Sequence, residues 1–255
     1  MTDARPAPRA RPARRLLRQE VADGIKRFIL DNRLRPGDPL PTETELCEAL
    51  GASRSSVREA VKVLDALDIV EVRHGHGTYV GRLSLSSLVE ALAFRGLLSP
   101  DDDFQVLADL VDVRELFEQG MADRIVASLD GAQLDRLDAL VARMREHGAQ
   151  AAAVDDGGAD LVPADRAFHA LLVAPLGNQL IGQLSVAFWD VYAIVAPRLD
   201  GFTDADRAAT VTAHQSIVDA ARAGDIKGFT RALGEHYAPV RRRIAEARAH
   251  RPDPA

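Results

Sequence analysis

Cysteine and aromatic residues are scarce in this chain of 255 residues. It contains one cysteine, Cys47, and one tryptophan, and Phe, Trp and Tyr together make up 5% of the sequence. A single cysteine cannot form a disulfide within the chain, so nothing in the sequence indicates an oxidising compartment. Cys47 is expected to be a small buried side chain. The abundance of Ala, Leu and Arg favours helices over strands.

Long apolar runs are also missing. No run approaches the roughly 20 residues that a helix needs to cross a bilayer, and the N-terminal segment has no apolar core of the kind found in signal peptides. We therefore expect a cytoplasmic protein without a membrane partner. A chain of 255 residues is long enough for two domains, each with its own core.

The net charge of −6 is the wrong sign for nucleic-acid binding, but it is unevenly distributed. Residues 1–82 contain 15 Lys and Arg against 12 Asp and Glu, a net charge of +3, whereas the remainder contains 17 against 26, a net charge of −9. Only the first part is suited to face phosphates. Residues 1–15 contain five arginines and no periodic apolar positions, which predicts a disordered basic arm. Such an arm either lies along DNA or is simply solvated.

Residues 41–80 show the pattern of helix, turn, helix and hairpin. Thr42 with Glu45 three residues later is a capping box, and Gly51 is placed to end that helix. Ser53 is predicted to cap a second helix, whose apolar residues recur at helical spacing and form a core face. This core face consists of Val57, Ala60, Val61, Leu64 and Leu67.

The opposite face of the second helix carries Arg54, Ser55, Arg58 and Lys62. The following IVEVRHGHGTYV has the alternation of two strands around a glycine-rich tip. A basic helix face alone is usually only a solvated surface. Together with the preceding helix and the basic hairpin, it predicts a winged helix-turn-helix domain over residues 16–81, whose first helix covers residues 17–32.

The stretch RPGDPLPTETELCEALGASRSSVREAVKVLDALDIVEVRHGHGTYV resembles the DNA-binding domain of the GntR superfamily of bacterial transcription regulators. The resemblance implies that Arg54 and Arg58 contact bases or phosphates in the major groove, and that His74 and Gly75 enter the minor groove. The other residues assigned to DNA by the resemblance are Thr44, Ser53, Ser55, Ser56, His76 and Gly77. Some family members carry Arg where this chain has Thr44, so the base contact at this position is expected to differ.

After Arg82 the periodic segments are helical and no strand-rich segment occurs, which predicts an all-α bundle. We expect a linker helix within residues 82–100 and six further helices within residues 101–250, the first of them unbroken over residues 103–129. Residues 149–160 have the composition of a loop. The predicted fold class is therefore mainly α, with an N-terminal winged helix-turn-helix and a C-terminal helical bundle.

Four residues of the helical half have the chemistry of metal ligands. Asp165 and His169 are four residues apart in one predicted helix and share a face, and His214 and His236 lie in two later helices. A divalent metal accepts imidazole and carboxylate ligands. With seven histidines in the chain, chance pairs are common, so the spacing alone leaves the site undecided.

This half resembles the ligand-binding FCD domain of the FadR subgroup, over roughly residues 101–249, through D-x-x-F-H, G-N, H-x-x-I-x-x-A-x-x-x-G-D and a late H-Y. The resemblance implies that the four residues bind a divalent metal (zinc, nickel or manganese, with zinc expected first), which helps to hold the carboxylate of a small organic acid. Arg114 matches an arginine that points toward the effector, and Asn178 is a second candidate. Otherwise Arg114 is expected to form an ordinary helix-surface pair with Glu118. Trp189 and Tyr192 are expected to be core residues rather than pocket residues, although either could line the pocket.

These features predict a homodimeric, metal-containing transcription regulator, most simply a repressor, which binds a palindromic operator in double-stranded DNA and responds to a small organic acid. Two alternatives stay open. One is a DNA-binding protein whose metal is purely structural and which has no effector. The other is a metal-dependent hydrolase, although no separate general base lies at motif spacing.

Overall fold

The computed structural model describes residues 12–98, 104–151, 161–199 and 202–249. The contacts between residues divide the chain into two compact units, with the division after Ser87. The first unit contains three helices and a two-stranded sheet: α1 Pro12–Asp31, α2 Glu43–Leu50, α3 Arg54–Ala66, β1 Val70–Arg73 and β2 Gly77–Val80. Helix α1 begins inside the segment that we expected to be disordered, and residues 1–11 of that segment lie outside the described residues.

The ends of α2 and α3 follow from their sequence. The Thr42 side chain accepts a hydrogen bond from the Glu45 amide at 3.3 Å, and the Glu45 carboxylate accepts one from the Thr42 amide at 2.8 Å. Gly51 ends α2 in the left-handed conformation, with φ 61°. Ser53 then caps α3 by accepting from the Ser56 amide at 3.2 Å. The predicted helix, turn and helix are therefore present in this order.

The core of the first unit forms where α1, α2, α3 and the sheet meet. Val57, Ala60, Val61 and Leu64 of α3 are buried there, as expected. Leu67, which we placed on the same face, is instead 49% exposed because α3 ends before it and the helical spacing no longer applies. Cys47 is half-buried at the edge of this core rather than fully buried.

The strands β1 and β2 are antiparallel, with Val70 opposite Val80 and Arg73 opposite Gly77. Pro39 forms a bridge to Tyr79, so the segment before α2 adds to the edge of the sheet. Val70 and Val80 are buried, whereas Val72 is 39% exposed. The hairpin thus leaves the core after its first residue pair and projects as a wing.

The second unit is helical throughout the part that the structure describes. Its helices are α4 Ser86–Leu98, α5 Gln105–Gly120, α6 Ala122–Ser128, α7 Gly131–Ala151, α8 Val162–Val173, α9 Gln179–Val195, α10 Asp204–Ala223 and α11 Ile226–Ala249. The prediction of one unbroken helix over residues 103–129 is wrong, since the helix breaks at Met121, next to Gly120, a poor helix former. Helix α7 continues past Gly148 to Ala151, and residues 152–160 of the predicted loop lie outside the described residues.

Two hydrophobic clusters form the core of this unit. The first is built mainly from α6, α7, α8, α10 and α11, and the second from α4, α5, α9 and α11. Helix α11 contributes to both, because Phe229 and Leu233 lie in the first and Ile244 in the second. Between them α11 carries His236 and, in its interior, the buried Pro239.

Within the described residues, one stretch, Gln179–Arg198, is long and apolar enough to cross a membrane by length and composition, with a mean hydropathy of 1.4. The sequence analysis did not single out this stretch, which contains Asp190 and Arg198 and is therefore not an unbroken apolar run. Helices in the core of a folded domain meet the same two criteria, and Ile181, Trp189 and Val191 of this stretch are buried against neighbouring helices. Its apolar composition is thus partly used in packing.

Candidate functional site

The exposed side of α3 carries the side chains that we assigned to DNA. Arg54, Ser55 and Arg58 are exposed, and so is Thr44 on α2. The hydroxyl oxygens of Ser55 and Ser56 lie 3.0 and 2.9 Å from that of Ser53. The start of α3 therefore combines a helix N-terminus, three hydroxyl groups and an arginine, a combination suited to phosphate oxygens.

Arg58 forms an ion pair that the sequence reasoning missed. Its Nε donates to the Glu43 carboxylate at 2.7 Å, and the two side chains are 63% and 40% exposed. Glu43 is the first residue of α2, so this pair joins the two helices of the helix-turn-helix. The partner lies 15 residues away in the chain, beyond the reach of helical spacing rules.

The wing places His74, Gly75, His76 and Gly77 at its exposed tip. Gly75 and Gly77 have φ angles of 76° and 104°, a region that glycine adopts without strain. Behind the tip, the Arg73 guanidinium lies 4.1 Å from the centre of the Tyr79 ring and Nη2 donates to Glu71 at 2.9 Å. These contacts hold the base of the wing, while both histidine side chains remain at the surface.

The second unit brings the four predicted metal ligands together, although they come from three helices. Asp165 and His169 lie on α8, His214 on α10 and His236 on α11. One ligand atom from each lies within 4.8 Å of the others, and all four residues are buried. Asp165 Oδ1 is 3.0 Å from His214 Nε2 and 3.3 Å from His169 Nε2, and His169 Nε2 is 3.1 Å from His236 Nε2.

The hydrogen bonds of the outer ring nitrogens indicate which atoms face the centre of this cluster. His214 Nδ1 lies 2.8 Å from the Thr210 carbonyl oxygen, and His169 Nδ1 lies 2.8 Å from Glu118 Oε1. Because these oxygens only accept hydrogen bonds, we assign the hydrogen of each ring to Nδ1. With its hydrogen on Nδ1, each ring directs Nε2 toward the Asp165 carboxylate, where Nε2 donates a hydrogen bond when it is protonated and binds a cation when it is not.

The donor set and the spacing fit a divalent metal. Three imidazole nitrogens and one carboxylate oxygen are ligands that zinc and neighbouring metals accept. Ligands about 2.0–2.1 Å from a tetrahedral ion lie roughly 3.3 Å from one another. Three of the six separations among these atoms are 3.0 to 3.3 Å, and all six are within 4.8 Å. The buried cluster is therefore compatible with a divalent metal.

The charge states of the cluster also suit a cation. Burial alone would raise the pKa of Asp165, but the charge of His214 and hydrogen bonds from His169 and His214 hold the pKa of this carboxyl well below its usual range. Burial, together with the charge of His214, places the pKa of His236 well below its usual value. Asp165 is thus ionised and His236 neutral, the forms in which both groups bind metals. Burial alone would lower the pKa of His169, but the charge of Glu118 and hydrogen bonds to Asp165 and Glu118 raise it, so a metal has to displace a proton from this ring.

Glu118 and Tyr237 support the cluster, a role that the sequence analysis did not give them: it named Glu118 only as a partner of Arg114 and Tyr237 only as part of the H-Y pattern. Glu118 accepts from His169 Nδ1 at 2.8 Å and from the Tyr237 hydroxyl at 2.6 Å. Burial alone would raise the pKa of Glu118, but the charges of His169 and Arg114 and these hydrogen bonds lower it to about 2. A carboxylate behind a ligand histidine fixes the ring orientation and raises its basicity. The R-x-x-x-E spacing was the available signal for Glu118.

Arg114 lies beside this network and is buried, with 7% of its surface exposed. Its Nε lies 3.4 Å from Glu118 Oε1, so the expected pair exists, but it is buried rather than on a helix surface. Its Cζ lies 4.5 Å from the centre of the Trp189 ring, and its Nη2 has no hydrogen-bond partner among the described residues. A buried guanidinium with an unused donor is suited to bind an anion.

A cavity of about 760 Å³ opens next to the cluster and is lined by Arg114, Asp165 and His236. Trp189 and Tyr192, which we expected in the core, also line it. Asn178 is not among the lining residues. It caps α9 by accepting from the amides of Leu180 and Ile181 at 3.1 and 3.3 Å. The structure thus brings Arg114 to the metal ligands and gives Asn178 a role in the helix start.

Comparison with known proteins identifies two family models. Residues 17–80 match the model described as bacterial regulatory proteins, gntR family, and residues 109–239 match the FCD domain. A solved structure described as Streptococcus agalactiae GntR is 28% identical and has a TM-score of 0.63, with 88% of this chain and 99% of that chain covered. Both units therefore have the fold expected from the sequence.

Two curated relatives match parts of the chain. One is the putative transcriptional regulatory protein NedR of Micromonospora viridifaciens, to which the chain is 52% identical over 90 residues. The matched stretch covers 35% of this chain and 64% of that protein. The other is the Glc operon transcriptional activator of Escherichia coli (strain K12), to which the chain is 40% identical over 122 residues. The matched stretch covers 48% of this chain and 46% of that protein. The chain thus spans about half to two thirds of the length of these relatives, and both are described as regulators of transcription rather than as enzymes.

Proposed function

This chain belongs to the GntR family of bacterial transcription regulators and carries an FCD domain, and we propose that a small organic acid, bound beside a divalent metal in the second unit, controls its binding to DNA. One observation carries the proposal: four buried ligand atoms lie within 4.8 Å of one another beside an arginine with an unused donor. Since the family consists of regulators, the hydrolase alternative is set aside.

The proposed DNA contacts start from the exposed face of α3 and the tip of the wing. Arg54 and Arg58 offer planar donor groups that match guanine edges or phosphates. Ser53, Ser55 and Ser56 offer hydroxyls to phosphates, and the wing offers His74 and His76 to the minor groove or its phosphates. At Thr44 a short hydroxyl replaces the longer arginine of some relatives, so we expect a weaker base preference there.

The proposed metal ligands are Asp165 Oδ1 and the Nε2 atoms of His169, His214 and His236. We expect zinc first, with nickel and manganese as alternatives, because this mixed nitrogen and oxygen set suits all three. When bound, the metal supplies a positive charge that attracts a carboxylate oxygen. Glu118 and the Thr210 carbonyl keep the ligand rings in the orientation that the site needs.

Arg114 is the proposed partner of the acid. Its guanidinium contacts Glu118 and the Trp189 ring, and the residue lines the cavity. Nη2 has no hydrogen-bond partner among the described residues. A carboxylate placed here loses its hydration but gains a charge-assisted hydrogen bond from an arginine that is already desolvated. The acid changes DNA affinity by as much as its affinities for two conformations of the protein differ.

The remaining parts of the proposal concern the oligomeric state and whether DNA binding represses or activates transcription. We propose a homodimer, because a two-fold pair of winged domains matches a palindromic operator with two half-sites. We propose repression as the direct outcome of operator occupancy, in the cytoplasm where the DNA lies. Repression and activation can differ between relatives, since the Escherichia coli protein is described as an activator.

The test uses the full chain loaded with zinc and a labelled duplex selected from random-sequence DNA. Small carboxylic, hydroxy and sugar acids are screened for stabilisation against heat, with and without EDTA, and the hits are added to the complex while fluorescence anisotropy is recorded. An acid at 100 times its dissociation constant stabilises the protein by about 2.7 kcal/mol. We expect at least one acid to stabilise the protein and to change its DNA affinity only when metal is present. Loss of stability with EDTA but no response to any acid would support the structural-metal alternative instead.

A further inference from the structure

We propose that the acid recognised by the second unit has an aromatic body, so that the effector is an aryl-substituted carboxylic acid rather than a two- or three-carbon acid or a sugar acid. The inference rests on the proposed function, because it names the class of acid that the same site takes. It follows from the size of the cavity, from the position of its unused donors and from the chemistry of its walls.

The size of the cavity favours a larger ligand. Pockets for ligands of drug size measure about 300–1,000 Å³, and this cavity measures about 760 Å³. A two- or three-carbon acid held at Arg114 would leave most of the remaining wall in contact with water. An acid with a ring fills more of the space and removes more apolar surface from water.

The unused donors locate the carboxylate. Arg114 Nη2 and Trp189 Nε1 are buried and have no hydrogen-bond partner among the described residues. Both residues line the cavity, and Trp189 is 4% exposed. The indole N–H only donates and a guanidinium only donates, so both require an acceptor such as a carboxylate oxygen. The head of the acid therefore lies between Arg114, Trp189 and the metal ligands.

The direction in which the body extends follows from the antiparallel packing of α5 and α11. Arg241 of α11 pairs with Asp112 of α5 at 2.6 Å, and Arg248 donates to Gln105 at 2.8 Å. Increasing residue numbers on α11 thus run beside decreasing numbers on α5. One helical turn, about 5.4 Å, leads from the His236 position to Val240 on α11 and from the Arg114 position to Leu110 on α5.

The wall at this second end is mostly hydrocarbon. Leu110, Val111 and Val240 line it from α5 and α11, and the aromatic rings of Phe188 and Phe202 add to the cavity wall. Val191 and Val195 of α9 pack in the same cluster as Leu107 and Ile244, so α9 borders this end as well. A sugar acid would place several hydroxyls against these groups, whereas an aromatic ring packs on them edge-to-face or offset.

The polar groups near the second end already have partners. Arg243 Nη2 donates to the Leu199 carbonyl oxygen at 2.6 Å, and its Cζ lies 5.1 Å from the centre of the Phe202 ring. The Thr203 hydroxyl donates to Asp206 at 2.7 Å. These groups hold the wall together, and the aromatic body of the acid packs against their ring and aliphatic surfaces.

The experiment compares three acids that share a carboxylate and differ in the body. Isothermal titration calorimetry is done with the zinc-loaded full chain and acetate, 3-phenylpropionate or gluconate. We expect 3-phenylpropionate to bind at least tenfold more tightly than acetate, and gluconate no more tightly than acetate. The Phe188→Ala variant should lower the ratio of the phenylpropionate and acetate affinities by about fivefold or more, and Phe188→Leu should restore most of it. Phe94→Ala is the matched control, because Phe94 is 62% exposed on α4 and does not line the cavity.

The outcomes separate the two proposals. Equal affinities for acetate and 3-phenylpropionate, or tighter binding of gluconate, would overturn the aromatic class and leave the proposed function intact. If no acid of any class binds the zinc-loaded protein or changes its DNA affinity, the proposed function itself fails. The acid series on the unmodified protein decides the matter even if a variant does not fold.

Discussion

The two units place their candidate functional residues in opposite environments. In the first unit, Arg54, Ser55 and Arg58 and the tip of the wing are exposed and make few contacts. In the second, Asp165, His169, His214 and His236 are buried and tied to a hydrogen-bonded network. The difference follows from ligand size, since DNA is bound on a surface, whereas an ion and a small acid can be enclosed. Substitutions in the two units are therefore expected to impair the protein in different ways.

The largest expected effect is on the metal site, and it distinguishes the second unit from the first. Asp165→Asn removes the negative charge of the metal site and should lower zinc affinity by more than about 100-fold, because even residues behind the ligands change it by about 10- to 100-fold. DNA affinity in the absence of the acid should be unchanged. Zinc affinity is measured by competition with a chromogenic chelator. The control is Asp219→Asn, because Asp219 lies on the exposed side of α10. Wild-type zinc affinity in the Asp165 variant would contradict the assignment of Asp165 as a metal ligand.

The second prediction concerns the exposed site. Arg58→Ala should lower the affinity for the selected operator by about 1–3 kcal/mol, or roughly 5- to 150-fold. Its melting temperature should hardly change, since an exposed ion pair contributes only about 0–1 kcal/mol. Arg166→Ala is the matched control, because Arg166 pairs with Asp190 at 2.8 Å in the second unit. Fluorescence anisotropy and thermal melts of both variants test this, and equal DNA affinity in the two variants would refute the role of Arg58.

The third prediction sharpens the description of the buried network. Glu118→Gln should weaken zinc binding by about 10- to 100-fold, because the amide is a poorer partner for the His169 Nδ1 hydrogen than a carboxylate. Tyr237→Phe removes only the hydroxyl that donates to Glu118 at 2.6 Å and should have a smaller effect. The same chelator competition measures both. A larger loss in the tyrosine variant would mean that Glu118 is not held in the way the structure indicates.

The last prediction compares the stability that the same capping motif gives to the two units. Thr42 and Thr203 each cap a helix in a capping box, but the Asp206 partner of Thr203 is buried. Thr42→Ala should cost about 1 kcal/mol, and Thr203→Ala about 1–3 kcal/mol, since a buried carboxylate loses a donor. Trp189 fluorescence reports the unfolding of the second unit, so the urea midpoint seen by this probe should shift for Thr203→Ala only. Equal shifts would show that the two units unfold together.

The exposed site could be predicted from the sequence because its residues are close in the chain. Thr42, Gly51 and Ser53 set the ends of α2 and α3 through contacts within four residues, and Arg54 and Arg58 follow on one helical face. The spacing rule failed at Leu67, where the helix had ended. The Glu43 partner of Arg58 was missed because the contact depends on the angle between two helices.

The buried site could not be predicted in the same way. Asp165 and His214 are 49 residues apart, and Glu118 and Tyr237 are 119 residues apart, so their meeting depends on how four helices pack. The ligand residues were named through resemblance to a family, and spacing suggested only the pair Asp165 and His169. The cavity beside Arg114 arises from packing, which local patterns do not encode, whereas Gly120 was a local signal for the break at Met121 that the sequence analysis did not use.

Pro239 gives α11 a mechanical property. A proline inside a helix removes one backbone hydrogen bond and weakens the helix against bending at that turn. The preceding segment carries His236 at the metal-ligand end of the cavity, and the following segment carries Val240 and Arg243 at the apolar end. The turn that contains Pro239 is therefore the point at which α11 bends most easily, between the segment that carries a candidate metal ligand and the segment that lines the apolar end of the cavity.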